Sequence, residues 1–176
     1  MGRSLHKCRD INDIIDWFYA NKIDVKSRSK TNDQVLLFPE DIESAKQGNC
    51  IDVAVSSMCL LNDNYKYNGI AIITMQRNRT SKPTHWVAYS KVNGEFIVFN
   101  FISSNKINIS KGYTLLSALE EQLEWMMVEY KKDFSVSLEK IYFDIVDRMH
   151  LDHIYYTYKN RQSITQSELI SSILSS

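Results

Sequence analysis

Apolar residues recur along this chain with two periods. Ile11, Ile14, Ile15 and Phe18 fall at helical spacing behind Asp10, a side chain suited to capping a helix start. From Cys50 to Leu61 the run is apolar nearly all round, which predicts a buried central helix. Asn49 can cap it, and Asp52 places a carboxylate in its first turn. Segments 69–76, 84–92 and 95–101 are rich in β-branched and aromatic residues and read as strands. Residues 113–132 form an amphipathic helix, with Leu115, Leu116, Leu119, Leu123 and Met126 on one face. The stretch "SLEKIYFDIVDRMH" reads as a further helix, and Thr165 with Glu168 as a capping box before a last short one. The predicted fold class is α+β in one domain spanning 1–176. Its core, about 45–102, sets the buried helix on a small antiparallel sheet, and a helical C-terminal part covers about 113–176.

Asn93-Gly94 between the last two strands is a strong signal for a two-residue type I′ hairpin turn. Such a turn pairs Val92 with Glu95 and sets Asn100 opposite Val87. Strand alternation then projects His85 and Asn100 from one face as a diagonal pair about 7–8 Å apart at Cα. Val87, Tyr89 and Val98 share that face. Trp86, Ala88, Ile97, Phe99 and Phe101 occupy the other, so both faces require cover. An imidazole and a carboxamide there need partners, because burying either one unpaired costs roughly 1–3 kcal/mol.

Composition narrows the classes. At 176 residues, 44% hydrophobic and 24% charged, the chain has globular proportions. Its 21 basic residues balance 21 acidic ones, which calls for neither nucleic acid nor an anionic membrane as partner. No apolar run approaches the ~20 residues that span a bilayer, the start lacks an apolar signal region, and the cysteine count of three is odd. A reducing, cytoplasmic setting with free thiols is the reading that follows. Abundant Ile, Lys, Asn and Ser fit an A/T-rich bacterial or viral genome. His150 and His153 have the spacing of two metal ligands, but no Cys or carboxylate cluster accompanies them, so no metal or cofactor is expected. The basic loops at 26–30 and 77–83 read as solvated surface, the second near the mouth of any site at His85. Cys8, in a polar segment, reads as a bystander and Cys59 as inert core.

Taken singly, Cys50 fits a small core residue, His85 a satisfied histidine and Asn100 a strand end. Taken together, "QGNCIDVAVSSMCLLND", "THWVAYSKV" and "EFIVFNF" resemble the transglutaminase-like, papain-like cysteine superfamily. That family places Gly-x-Cys at the start of a buried helix, then a strand beginning with His, then a strand ending in Asp. Here these are Gly48-Asn49-Cys50, His85-Trp86 and Asn100, across roughly residues 45–102. Asn100 departs from the usual Asp and matches the Asn of papain-like proteases; it can orient the imidazole but adds no charge. The resemblance implies a Cys50–His85–Asn100 triad that forms a thioester with a protein or peptide substrate. The outcome would be hydrolysis, deamidation or transamidation. The Cys50 backbone N–H would hold the oxyanion, with Gln47, Asn49 and Trp86 as further candidates around oxyanion and substrate. The alternative is a catalytically idle scaffold of the same fold that binds a partner protein.

Overall fold

A computed structural model of the chain describes residues 8–25, 34–61, 68–77, 84–103, 106–133, 138–147 and 164–174. The basic loop at 26–30, residues 78–83 of the second one, and His150 and His153 lie outside the described residues. The elements in chain order are α1 (Ile11–Ala20), β1 (Asp24–Val25), α2 (Pro39–Ala45), β2 (Gln47–Gly48), α3 (Cys50–Leu60) and β3 (Asn68–Arg77). They continue with β4 (Thr84–Val92), β5 (Glu95–Ser103), β6 (Lys106–Gly112), α4 (Leu115–Asp133), β7 (Leu138–Asp147) and α5 (Gln166–Leu174). The fold is α+β, as the alternating patterns predict.

Strands β3 to β7 form a five-stranded antiparallel sheet in the order β6-β5-β4-β3-β7. The hairpin is as expected. Asn93 and Gly94 have φ values of 53° and 89°, and the β4–β5 register runs from Val92↔Glu95 to Ala88↔Phe99. Both sheet faces are covered. Trp86, Ala88, Phe99 and Phe101 join Val53, Ala54, Val55 and Met58 of α3 in one apolar cluster. Val87, Tyr89 and Val98 join Ala118, Leu119 and Met126 of α4 in the other.

Helix α1 starts where expected, with the Asp10 side chain accepting the N–H groups of Asn12 and Asp13. It buries Ile11, Ile14 and Phe18, and the Phe18 ring lies 4.3 Å from that of Phe101. Thr165 and Glu168 form the capping box of α5: Thr165 N–H donates to Glu168 Oε2 at 2.8 Å and Glu168 N–H to Thr165 Oγ1 at 3.1 Å.

The C-terminal part departs from the expectation. Residues 138–147 form an edge strand antiparallel to β3, with partners such as Ile73↔Phe143 and Ile70↔Val146, and not a helix. Their run of Ile, Tyr, Phe, Ile and Val suits a pleated strand, and the short stretch fits both periods until pairing with β3 decides between them. The C-terminal part is therefore not wholly helical. Strand β6 and helix α2 are additions the pattern did not announce. On α4, Leu116 is 55% exposed and Gln122 takes an inward position, so the apolar face is rotated from the one expected.

Candidate active site

Helix α3 begins at Cys50, and its start is unusually well tied. The Asn49 side chain accepts the N–H groups of Ile51 at 3.0 Å and Asp52 at 3.1 Å. Asp52 Oδ2 accepts the Asn49 N–H at 2.9 Å, which closes a reciprocal capping box. The Asn49 C=O takes the Val53 N–H. The Cys50 N–H alone in this first turn has no acceptor among the described residues.

Asp52 does more than cap. It is fully buried, and its Oδ1 accepts the Leu37 N–H at 2.9 Å and the Gln166 Nε2 at 3.4 Å. Segment 34–38 is held in turn by residues 164–166 through Leu36 N–H to Ile164 C=O and Gln166 N–H to Gln34 C=O. One carboxylate thus joins α3, an N-terminal segment and α5. A buried carboxyl group that holds several donors is costly to remove, because each donor is then left unsatisfied.

Gly48 explains its place two residues before Cys50. A Cβ there would lie 3.2 Å from the Asp52 Cβ and 3.3 Å from the Ile42 Cδ1. A side chain there would require Asp52 or Ile42 to give by a few tenths of an ångström, so glycine suits this close approach of β2 to α2 and α3.

His85 Nε2 and Asn100 Oδ1 are 2.9 Å apart, so the diagonal pair expected from the hairpin is a hydrogen bond. Alternation puts both on the α4 side of the sheet, whereas α3 packs on the opposite side. They meet Cys50 because Cys50 is the first residue of its helix and the β4–β5 ladder has its last pair at Ala88↔Phe99. Beyond that pair the His85 side chain and the Trp86 backbone N–H come up to the Cys50 sulfur. With Nε2 on Asn100, Nδ1 is the ring nitrogen left for the sulfur.

The electrostatics follow from these contacts. Burial pushes the Cys50 thiol up, but the hydrogen bond and charge of His85 and the Trp86 N–H outweigh it, so its pKa falls below the ordinary value; nearby Asp52 opposes this. Burial pushes the His85 imidazolium down, but Cys50 and the Asn100 hydrogen bond outweigh that, so its pKa rises. Both shifts act toward a thiolate–imidazolium pair. Both residues keep partial solvent exposure.

Among the other residues singled out from sequence, Gln47 is exposed on β2 and its side chain makes no hydrogen bond among the described residues. Asn49 is engaged at the cap, and its Nδ2 donates to Gln34 Oε1 at 3.3 Å. Trp86 is 3% exposed and meets the sulfur through its backbone, not its indole. Cys59 is half-buried, while Cys8 is buried and its thiol is raised to about 11, chiefly by burial and then by Asp13 and Asp10. Cys50, Trp86, Asn100 and neighbouring apolar side chains line a cleft of about 10 Å³, the size of one water.

Sequence reasoning missed the Trp86 N–H, because a backbone donor leaves no side-chain signal. It noted Asp52 only as a first-turn carboxylate, although the Asn49-x-x-Asp52 spacing was readable as a capping box. Nothing in the sequence marks Gln34 or Gln166. Among the described residues no group of three or more His, Cys, Asp or Glu is placed to hold a metal, and no helix is long and apolar enough to cross a membrane. Compared with known proteins, the chain matches no family model and no curated protein.

Proposed function

We propose that this chain is a cysteine-dependent amide hydrolase or acyltransferase with a transglutaminase-like, papain-like site, acting on a protein or peptide substrate through Cys50, His85 and Asn100. The observation that carries the reading is the alignment of three groups. A thiol lowered by an imidazole stands at a helix start, and the imidazole is held at 2.9 Å by a carboxamide.

The Cys50 thiolate attacks the carbonyl carbon of an amide. The oxyanion that forms takes the Cys50 N–H, the donor that the capping box leaves over, and the partial positive charge of the helix start reinforces it. His85 gives its Nδ1 proton to the leaving amine, and the C–N bond breaks to leave a thioester. Neutral His85 then takes a proton from water or from an acceptor amine, which attacks the thioester and frees the thiolate. Asn100 holds the ring throughout but supplies no charge to the imidazolium. Water as acceptor gives hydrolysis or deamidation and an amine gives transamidation; a cytoplasmic hydrolase is the favoured form.

The test is to incubate wild type and Cys50→Ala with a proteome-derived peptide mixture and hydroxylamine. Wild type should yield hydroxamates by transfer from the thioester, and Cys50→Ala none. Wild type yielding neither hydroxamates nor new termini would contradict the reading and favour the second one, an idle scaffold binding a partner protein. The small cleft at Cys50 favours that second reading.

A further inference from the structure

The residues just before the nucleophile carry an open main-chain edge. Strand β2 pairs with β1 in parallel, as Asp24↔Gln47 and Val25↔Gly48, and the Asp24 N–H donates to the Lys46 C=O at 3.0 Å. In a parallel pair, the two neighbours of a residue bond the facing strand while its own N–H and C=O point to the opposite edge. The amide and carbonyl of Gln47 therefore point away from β1. They lie on the outer edge of a two-stranded sheet, where no further strand pairs among the described residues, and Gln47 is exposed there.

This edge is fixed relative to Cys50. Lys46, at φ 55°, ends α2 and turns the chain into β2, and its Nζ donates to Asn21 Oδ1 at 3.3 Å. Gly48 is locked against Asp52 and Ile42, and the Asn49–Asp52 box follows at once. Three residues beyond Gln47 stands the Cys50 N–H without an acceptor. A donor and an acceptor on the strand edge, and a donor at the nucleophile, thus lie along one short rigid segment.

We propose that the acyl donor is an extended peptide whose main chain pairs with Gln47 while its reacting carbonyl sits on the Cys50 N–H. The inference rests on the thiolate reading of Cys50. Main-chain donors and acceptors seek partners, and addition of an extended peptide to an exposed strand edge satisfies them without regard to side-chain identity. The register follows from strand geometry. Three residues span about 10 Å, so the substrate residue that pairs with Gln47 lies about three positions from the reacting carbonyl. Such a site tolerates varied sequences and selects extended segments, and it passes over a small amide that has no chain attached.

The test uses three alkylating probes on the full chain: chloroacetamide, acetyl-alanine chloromethyl ketone and acetyl-tetraalanine chloromethyl ketone. In each case the Cys50 sulfur forms a C–S bond and chloride leaves. The tetra-alanine probe should modify Cys50 at least tenfold faster than the single-residue probe, both relative to their rates with glutathione. N-methylation of its residue about three positions from the ketone should remove most of that gain, and N-methylation of the residue next to the ketone should not. Equal relative rates for all probes, with chloroacetamide still fast at pH 6, would overturn the pairing and leave the thiolate standing. Slow chloroacetamide labelling at pH 6 would overturn both.

Discussion

Two thiols of this chain stand near helix starts and meet opposite fates. Cys8 lies two residues before Asp10, the cap of α1, and its backbone N–H bonds the Leu60 C=O at 2.7 Å. Its thiol is buried, faces Asp13 and Asp10, and is raised to about 11. Cys50 is the first residue of α3, and its pKa is lowered although burial opposes it. Proximity to a helix start therefore does not activate a thiol. What differs is the imidazole on one side and the carboxylates on the other. His85 reaches Cys50 only because a hairpin from far along the chain ends its ladder beside the helix start.

The largest effect should come from the anchor of that start. Asp52→Ala leaves three donors without their buried acceptor and should cost roughly 3 kcal/mol or more in denaturant unfolding. Asp10→Ala, at the solvent-facing start of α1, should cost about 1 kcal/mol. Equal losses would mean that the two starts are built alike.

Asn100→Ala should slow Cys50 alkylation at pH 6 about tenfold, because a hydrogen bond to a charged partner is worth about 1.5 kcal/mol or more. Asn100→Asp should keep the rate and extend the thiolate–imidazolium pair to higher pH, since a carboxylate adds the missing charge. Equal loss in both variants would remove Asn100 from the site's electrostatics.

The pair also predicts how stability depends on pH, measured as wild type minus Cys50→Ala/His85→Ala. His85 is raised from 6.5, so its contribution is complete below 6.5 and is lost as pH rises through the folded value. Cys50 is lowered from 9.0, so its contribution is complete above 9.0 and is lost as pH falls through the folded value. The two slopes oppose each other where those ranges overlap, so the difference should be flat there. A full one-proton slope throughout pH 6.5 to 9.0 would contradict the pair. The smallest effect belongs to Cys8→Ala, which should cost about 1 kcal/mol of stability and leave Cys50 labelling unchanged.

The legibility of this molecule in its sequence divides along the same line. The His85–Asn100 bond was readable because Asn93-Gly94 leaves the hairpin one register, and side-chain period then fixes the face. The cap of α3 was readable because Asn and Asp stand at the right spacing. The edge strand β7 was not: Ile141, Tyr142, Phe143, Ile145 and Val146 fit more than one period, and its partner β3 lies some seventy residues earlier. The tie from Asp52 to Leu37 and Gln166 was not readable either, since it joins segments distant in the chain through one backbone group and one amide. The Trp86 N–H depends on where a ladder ends, which no residue type announces.

The central claim is the difference between the two thiols, and alkylation by iodoacetamide against pH tests it most directly. Each cysteine is read by peptide mass spectrometry in wild type and His85→Ala. The account predicts that Cys50 labels fast at pH 6 while Cys8 stays unlabelled through neutral pH. His85→Ala should slow Cys50 about 10- to 100-fold at pH 6, where under about 1% of an ordinary thiol is ionised. Cys50 labelling as an ordinary thiol in wild type, with no change in His85→Ala, would contradict it.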